Sequence, residues 1–319
     1  HVPEEKRDEW MEEALERALE DYGERVLSDR AQDAYVLERV RRIGRRTAWA
    51  ILKQLQKGAF VPEETEVSFR NLEQLPSVSM ILSEEERMRL RGRIDRIDIC
   101  RQDGKTYVRI IDYKSGNTKF DLTSIYYGLQ LQLVVYLNAA MEKLAGEKGE
   151  KVHPAGMFYY HIEDPLLDFA EEGIPEQRLL KELAWTGLSS GDREIVALMD
   201  REIGTVSEIL PLRLKKDGSY AAGSSVADEE QFERLTRHVQ KKLIEYGERI
   251  LNGDIRMEPY ELGDEDACRF CRYHSVCGFD RRVEGCEKRR LRPMERTKIW
   301  EELKNEYHMD RRPEKSHRD

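Results

Sequence analysis

The sequence predicts an α/β protein in which a mixed central β-sheet is flanked by helices, with a helical segment before it and a cysteine cluster after it. Three observations carry this reading: strand-patterned segments in β-β-β-α-β order, amphipathic helices around them, and three cysteines within ten residues near the C-terminus.

In order along the chain, Glu4 to Leu55 is charged and helical in period, with Leu15, Leu19, Val26, Tyr35, Val40, Ile43, Trp49 and Leu52 supplying apolar faces. A helical scaffold is expected there. Strands are expected near 64–70, 78–82, 90–100 and 106–113. The last two read as a β-hairpin, Leu90 to Cys100 and Thr106 to Tyr113, with Asp103-Gly104 as the turn. From Asp121 to Leu144 the spacing of Ile125, Leu129, Leu133, Tyr136, Leu137 and Ala140 predicts one amphipathic helix of about six turns. Gly156 to Ile162 is a further strand, ended by Glu163-Asp164-Pro165. Ile209 to Leu214 leads into a Lys215-Lys216-Asp217-Gly218 turn, and the small polar run Ala221 to Ser225 predicts a flexible loop. Asp228 to Leu251 is another amphipathic helix, with Phe232, Leu235, Val239, Leu243, Tyr246 and Ile250 on one face.

Composition sets bounds on function. A chain of 319 residues can bury a substantial core, and its net charge of −9 argues against nonspecific wrapping of nucleic acid by a basic surface. Any nucleic-acid contact must use a local groove. The stretch from Arg281 to Asp319 holds thirteen Lys or Arg against nine Asp or Glu, which a solvated helix and tail explains as well as a DNA-binding arm does. No apolar run approaches the roughly eighteen residues of a membrane span, and no signal peptide is visible, so a soluble, cytoplasmic protein is expected. The chain begins at His1 without methionine, which fits a fragment of a longer polypeptide or a processed terminus. It carries no Gly-rich phosphate loop, so no ATP site of its own is expected.

Two short segments carry chemistry. Gly92-Arg93-Ile94-Asp95 and Ile111-Asp112-Tyr113-Lys114 place two carboxylates and a lysine at adjacent strand ends. Residues two apart on a strand share a face, so Asp112 and Lys114 point the same way and Asp95 on the paired strand can meet them. Asp98, three residues beyond Asp95, should lie on the other face unless a bulge turns it.

Metal-assisted phosphodiester hydrolysis asks for this set. A hard divalent cation polarises the phosphoryl oxygen and lowers the pKa of the attacking water, and carboxylates are the usual ligands of Mg²⁺, which keeps several of its waters. Asp95 and Asp112 would hold the metal with help from the Tyr113 carbonyl, while Lys114 would orient the nucleophile or offset charge on the phosphate. Alone, a D-x-K is more often a solvated pair on a surface hairpin. Gln132 and Tyr136, one turn apart on the following helix, are by themselves a half-buried face, and they gain meaning behind a strand bearing Asp-Tyr-Lys.

These motifs, G-x-x-D, D-x-K and Q-x-x-x-Y in that order, resemble the RecB-type nuclease domains of the PD-(D/E)XK superfamily. The runs Gly-Arg-Ile-Asp-Arg-Ile-Asp, Ile-Asp-Tyr-Lys-Ser-Gly and Gly-Leu-Gln-Leu-Gln-Leu, with the late cysteines, are similar to the C-terminal region of the AddB family of helicase-nuclease subunits. The resemblance covers about Glu66 to Asp280 and implies the PD-(D/E)XK nuclease core. It implies that Asp95 and Asp112 bind metal, that Lys114 is catalytic, and that Gln132 and Tyr136 support the site or contact DNA. Glu66 falls loosely where many relatives have a glutamate. Relatives usually carry a histidine on a helix upstream of the first strand, and the only upstream histidine here is His1, so that element is expected to be cut away or incomplete. The expected organisation is a helical segment over 1–60, a nuclease core over 61–255, a cysteine region over 256–285, and a C-terminal helix and charged tail over 286–319.

Cys268, Cys271 and Cys277 form C-x₂-C-x₅-C, which in an intracellular-looking chain suggests a metal site more than disulfides. Zinc could use these three with His274, although such tight spacing strains a tetrahedral site. A [4Fe-4S] cluster needs a fourth thiolate. In the AddB family that ligand lies well before the nuclease motifs, whereas no cysteine here precedes Cys100. Cys100 reads as a core or edge residue of the hairpin, and Cys286 as the better local substitute. The expectation is [4Fe-4S] with a fourth ligand outside this chain, and zinc as the lesser alternative.

Two functions compete. One is a Mg²⁺-dependent deoxyribonuclease cutting single-stranded DNA delivered by a helicase. The other is a binding or structural module stapled by the cluster, its nuclease motifs being remnants. Intact Asp95, Asp112 and Lys114 favour the first. The resemblance further implies an AddA-type helicase-nuclease partner with an ATP-driven motor, and double-strand break processing for recombination.

Overall fold

The computed structural model describes residues 3–22, 31–149, 151–165, 176–269 and 271–310. In chain order the helices are α1 (Glu4–Tyr22), α2 (Ala31–Gln56), α3 (Leu122–Tyr126), α4 (Gln132–Lys148), α5 (Glu176–Glu182), α6 (Arg193–Met199), α7 (Glu229–Leu251), α8 (His274–Cys277) and α9 (Arg296–Asp310). The strands are β1 (Val61–Ser68), β2 (Ser79–Ile81), β3 (Arg87–Arg89), β4 (Arg93–Gln102), β5 (Lys105–Lys114), β6 (Val152–His161), β7 (Thr186–Ser190), β8 (Val226–Ala227), β9 (Tyr260–Leu262), β10 (Glu265–Asp266) and β11 (Arg289–Leu291). His1, Val26 and the end of the tail lie outside the described residues.

The chain forms two compact units, each assembled from three stretches. The first comprises His1–Ser68, Arg93–Phe120 and Leu144–Asp228. Its sheet has the order β1-β4-β5-β6-β7-β8. The β5/β6 and β7/β8 pairs are parallel and the others antiparallel, so the sheet is mixed, as expected. Trp49 of α2, Phe60, Ile111, Phe158, Trp185 and Met199 meet in one core against this sheet. Each such side chain contributes about 1.5–3 kcal/mol by leaving water. Strand β5 has a partner on both sides, which makes its C-terminal end a rigid platform.

The hairpin follows from local chemistry. Asp103 (φ 52°) and Gly104 (φ 73°) both adopt the left-handed conformation, the two-residue geometry whose twist matches that of the flanking strands. From Gln102↔Lys105 the register runs without a shift to Arg96↔Ile111.

Three expectations are corrected. The single helix over 121–144 is two, α3 and α4. Asp121 caps α3 by accepting from the Thr123 and Ser124 N–H groups, and Gly128 at φ 82° then turns the chain, so that the Leu129 N–H donates to the Ser124 carbonyl at 2.8 Å. The strand expected near 78–82 exists as β2, yet it pairs with β3 in a separate hairpin of the second unit. The run Ala221 to Ser225 is a held connection rather than a flexible loop. Ser224 and Ser225 are buried, the Ser225 N–H donates to the Pro211 carbonyl at 2.8 Å, and Ser224 Oγ accepts from the Arg213 N–H at 3.0 Å.

The second unit comprises Phe69–Gly92, Asp121–Lys143 and Glu229–Asp319. Helix α7 buries Phe232, Leu235 and Val239, and α9 buries Ile299, Trp300 and Leu303. His238 of α7 is held on both sides, with Nδ1 2.7 Å from Glu306 and Nε2 2.8 Å from the Tyr126 carbonyl. A small sheet of order β10-β9-β11 frames the cysteine segment. No helix among the described residues is long and apolar enough to cross a membrane.

Candidate active site

Asp95, Asp112 and Lys114 lie on one face of the β4–β5 hairpin. The register continues from Arg96↔Ile111 to bring Asp95 opposite Asp112, and Lys114 is two residues further along β5. At this point the ladder gives way to a side-chain bond, the Tyr113 N–H donating to Asp95 Oδ2 at 2.9 Å. The ammonium of Lys114 is 2.6 Å from Asp112 Oδ2 and 5.3 Å from the Tyr159 ring centre.

Asp112 is buried, whereas Asp95 and Lys114 are half-buried. Burial raises the Asp112 carboxyl above its ordinary range and the neighbouring Asp95 charge adds to that, outweighing the pull of Lys114. Asp112 Oδ2 is buried, and its partner in this structure is the Lys114 ammonium. A buried lone pair beside a second carboxylate is the environment a hard cation relieves, and the donor set of Asp95, Asp112 and the Tyr113 carbonyl leaves the remaining positions to water, as Mg²⁺ prefers. These residues fit that metal.

Asp98 lies on the opposite face, as the spacing predicts, within a buried network that sequence reasoning missed. Arg96 grips it in a two-pronged contact at 2.8 and 2.9 Å, and Arg109 adds contacts at 2.9 and 2.8 Å to Oδ2. The Arg109 guanidinium is itself stacked between Phe60 and Trp185, at 4.7 and 4.5 Å from the ring centres. Burial would raise the Asp98 carboxyl, but the two guanidiniums together hold it below the ordinary range. Burial also brings Arg109 down to about 10, which leaves it charged at neutral pH. A signal was available: Arg96 and Asp98 stand two apart on one strand face, and Arg109 is registered directly opposite Asp98.

Glu66 sits between the registered pairs Thr65↔Arg96 and Val67↔Ile94, level with Asp95. Its φ of 57° breaks the strand's alternation, and its carboxylate pairs with Arg93 at 2.5 Å. Gln132 and Tyr136 belong to the second unit, where the Gln132 amide donates to Tyr136 Oη at 2.8 Å. The buried Tyr136 ring meets Phe69 edge-on at 5.4 Å. Gly92 lies in the same unit, and a Cβ there would stand 3.5 Å from Tyr136 Oη.

The cysteine segment also lies in the second unit. Cys268 is half-buried, with its N–H donating to Asp266 at 2.8 Å, while Cys271 and Cys277 are exposed. Cys277 closes the single turn α8, and its sulfur is 4.0 Å from that of Met257. Cys286 and, in the first unit, Cys100 are buried. Among the described residues no three His, Cys, Asp or Glu side chains gather as a metal site.

Comparison with known proteins gives a consistent picture. The sequence profile of the PD-(D/E)XK nuclease superfamily matches residues 1–278. A protein of Lachnoclostridium phytofermentans, named as a subunit of an ATP-dependent helicase/deoxyribonuclease, is 37% identical over 315 residues, which cover 96% of this chain and 26% of that protein. Proteins of the same name from Clostridium novyi and Thermoanaerobacter pseudethanolicus are 38% and 35% identical over 307 residues, covering 94% and 95% of this chain and 27% and 26% of theirs. The chain thus spans about a quarter of the length of the curated relatives it matches.

Proposed function

The chain belongs to the PD-(D/E)XK nuclease superfamily, and from that premise we propose that it is a Mg²⁺-dependent deoxyribonuclease acting on single-stranded DNA supplied by a helicase partner. The observation that carries this reading is Asp112, a buried carboxylate with a raised pKa, beside Asp95 and paired with Lys114 on one strand face. Perturbed carboxylates of this kind concentrate at functional sites.

Asp95 and Asp112 would hold Mg²⁺, with the Tyr113 carbonyl as a third ligand. When bound, the ion polarises the scissile phosphate and makes water a better nucleophile at neutral pH. The chain's own residues do the rest. The Tyr113 N–H fixes the Asp95 carboxylate, Asp112 is held beside it with Lys114 as its ion-pair partner, and the Lys114 ammonium balances negative charge as it grows on the phosphate. Gln132 and Tyr136 would act as a supporting or DNA-contacting pair. The relatives are named as helicase/deoxyribonuclease subunits, which supports a helicase partner; an AddA-type motor protein, the remainder of a longer polypeptide and a cytoplasmic role in double-strand break processing for recombinational repair complete the proposal.

Cys268, Cys271 and Cys277 are proposed to hold a [4Fe-4S] cluster with a fourth thiolate from outside this chain; zinc with His274 is the alternative. Iron and sulfide analysis of anaerobically purified protein decides between them.

The test of the nuclease reading is Asp112→Ala in the helicase complex. Loss of divalent-dependent cleavage with DNA binding retained supports the enzyme. An unchanged cleavage rate excludes this site and leaves the chain as a non-catalytic DNA-binding or structural module.

A further inference from the structure

We propose that Arg96 is a positioning residue for the metal site, acting through Tyr113 from the opposite face of the sheet. The inference rests on the nuclease reading above and names a part of its machinery.

The connection is continuous. Phe60 and Trp185 clamp Arg109, Arg109 pins Asp98, and Asp98 fixes both prongs of Arg96. The remaining Arg96 nitrogen, Nη1, donates to the Tyr113 hydroxyl at 2.8 Å. Tyr113 is the residue between Asp112 and Lys114, and its own N–H holds Asp95 at 2.9 Å. Its ring also packs edge-on against the buried Tyr160 at 5.8 Å.

Position along the strands makes this link matter. The registered β4–β5 pairs end at Arg96↔Ile111, so beyond that pair the two site-bearing strand ends are joined through Asp95 and the Tyr113 peptide. On its other edge β5 stays registered with β6 as far as Lys114↔His161, so the freedom left to Tyr113 lies on the β4 side, where its side chain is the further anchor. Arg96 supplies that anchor below the sheet, while the backbone N–H of the same residue holds the Asp95 carboxylate, which belongs to the other face. A fully buried Arg-Asp-Arg set is a costly way to add stability, since well-packed apolar residues do as well. Fixing the orientation of a ligand-bearing peptide gives it a purpose, because outer partners of metal ligands set affinity by orienting them.

The test uses Tyr113→Phe and Arg96→Met in the full chain within its complex. Calorimetric titration gives the Mg²⁺ dissociation constant, and hydrogen exchange in metal-free protein follows the peptide spanning Tyr113. Both variants are expected to weaken Mg²⁺ binding about tenfold and to speed exchange at that peptide. Tyr113→Phe removes one hydroxyl and keeps the ring, so it guards against misfolding of the Arg96 variant. Ser207→Ala, which deletes a buried hydrogen-bond hub elsewhere in the unit, is expected to lower the unfolding temperature with Mg²⁺ affinity unchanged. If Mg²⁺ affinity stays within twofold of wild type in Tyr113→Phe, or falls equally in Ser207→Ala, the positioning role is overturned. Asp112→Ala in parallel separates the failures: intact cleavage there brings down the nuclease reading and this role with it, whereas abolished cleavage beside an unaltered Tyr113→Phe brings down this role alone.

Discussion

The two faces of the β4–β5 hairpin use the same residue types to opposite ends. On one face Asp98 is fully buried but answered by two guanidiniums, which hold its carboxyl below the ordinary range. On the other, Asp112 is buried beside another carboxylate with the Lys114 ammonium as its cationic partner, and its carboxyl is raised. Burial is common to both, so it cannot be what separates them. The balance of nearby charge does: Asp98 has more cationic partners than it needs, and Asp112 has fewer. A surplus of that kind locks a structure, and a deficit leaves a place for a cation.

Breaking each face should therefore fail in a different way. The largest effect is expected from Asp112→Ala, which should cut Mg²⁺-dependent cleavage of end-labelled single-stranded DNA by about a thousandfold or more, the scale on which removal of a charge-stabilising group acts. Replacement of Asp98 by Asn should act on the fold. Leaving Arg96 and Arg109 without their counter-charge is expected to cost about 3–5 kcal/mol, read from urea unfolding.

The pH dependence should run in opposite directions. Asp98 has a native pKa below its ordinary 3.8, so its contribution is present above that value and is lost as pH falls through the depressed native pKa. Asp112 is raised above 3.8, so its protonated form favours the fold, and that contribution disappears as pH rises through the native pKa. Metal-free Asp112→Asn should consequently unfold at a higher temperature than wild type at pH 7, with the gain vanishing below pH 3.8. The smallest effect is expected in the second unit. Tyr136→Phe removes the hydrogen bond from Gln132 and should cost about 1 kcal/mol in thermal unfolding.

Much of this was legible in the chain. Alternation and the Asp103-Gly104 pair placed the hairpin, and the two-residue strand period put Asp112 with Lys114 and sent Asp98 to the far face. The far face itself was not read, because charged strand residues ordinarily signal solvent. Here Arg96, Asp98 and Arg109 neutralise one another in the interior, a long-range pairing that depends on register. The split between α3 and α4 was hidden because apolar spacing continues in phase across Gly128, and only its positive φ reveals the break. Strands β7 and β8 and helix α6 are short, and they owe their form to the pairing of β7 with β6 and of β8 with β7 and to the Asp192 cap rather than to any strong local pattern. The cysteine spacing is plain in sequence, yet in the folded chain two of its three thiols face solvent.

Whether Asp95 and Asp112 share one divalent ion is decided by a crystal of the protein soaked in Mn²⁺ and measured at the manganese edge. An anomalous peak is expected within about 2.2 Å of a carboxylate oxygen from each residue. A peak bound elsewhere, or none at this strand end in a preparation that still cleaves DNA, would contradict it.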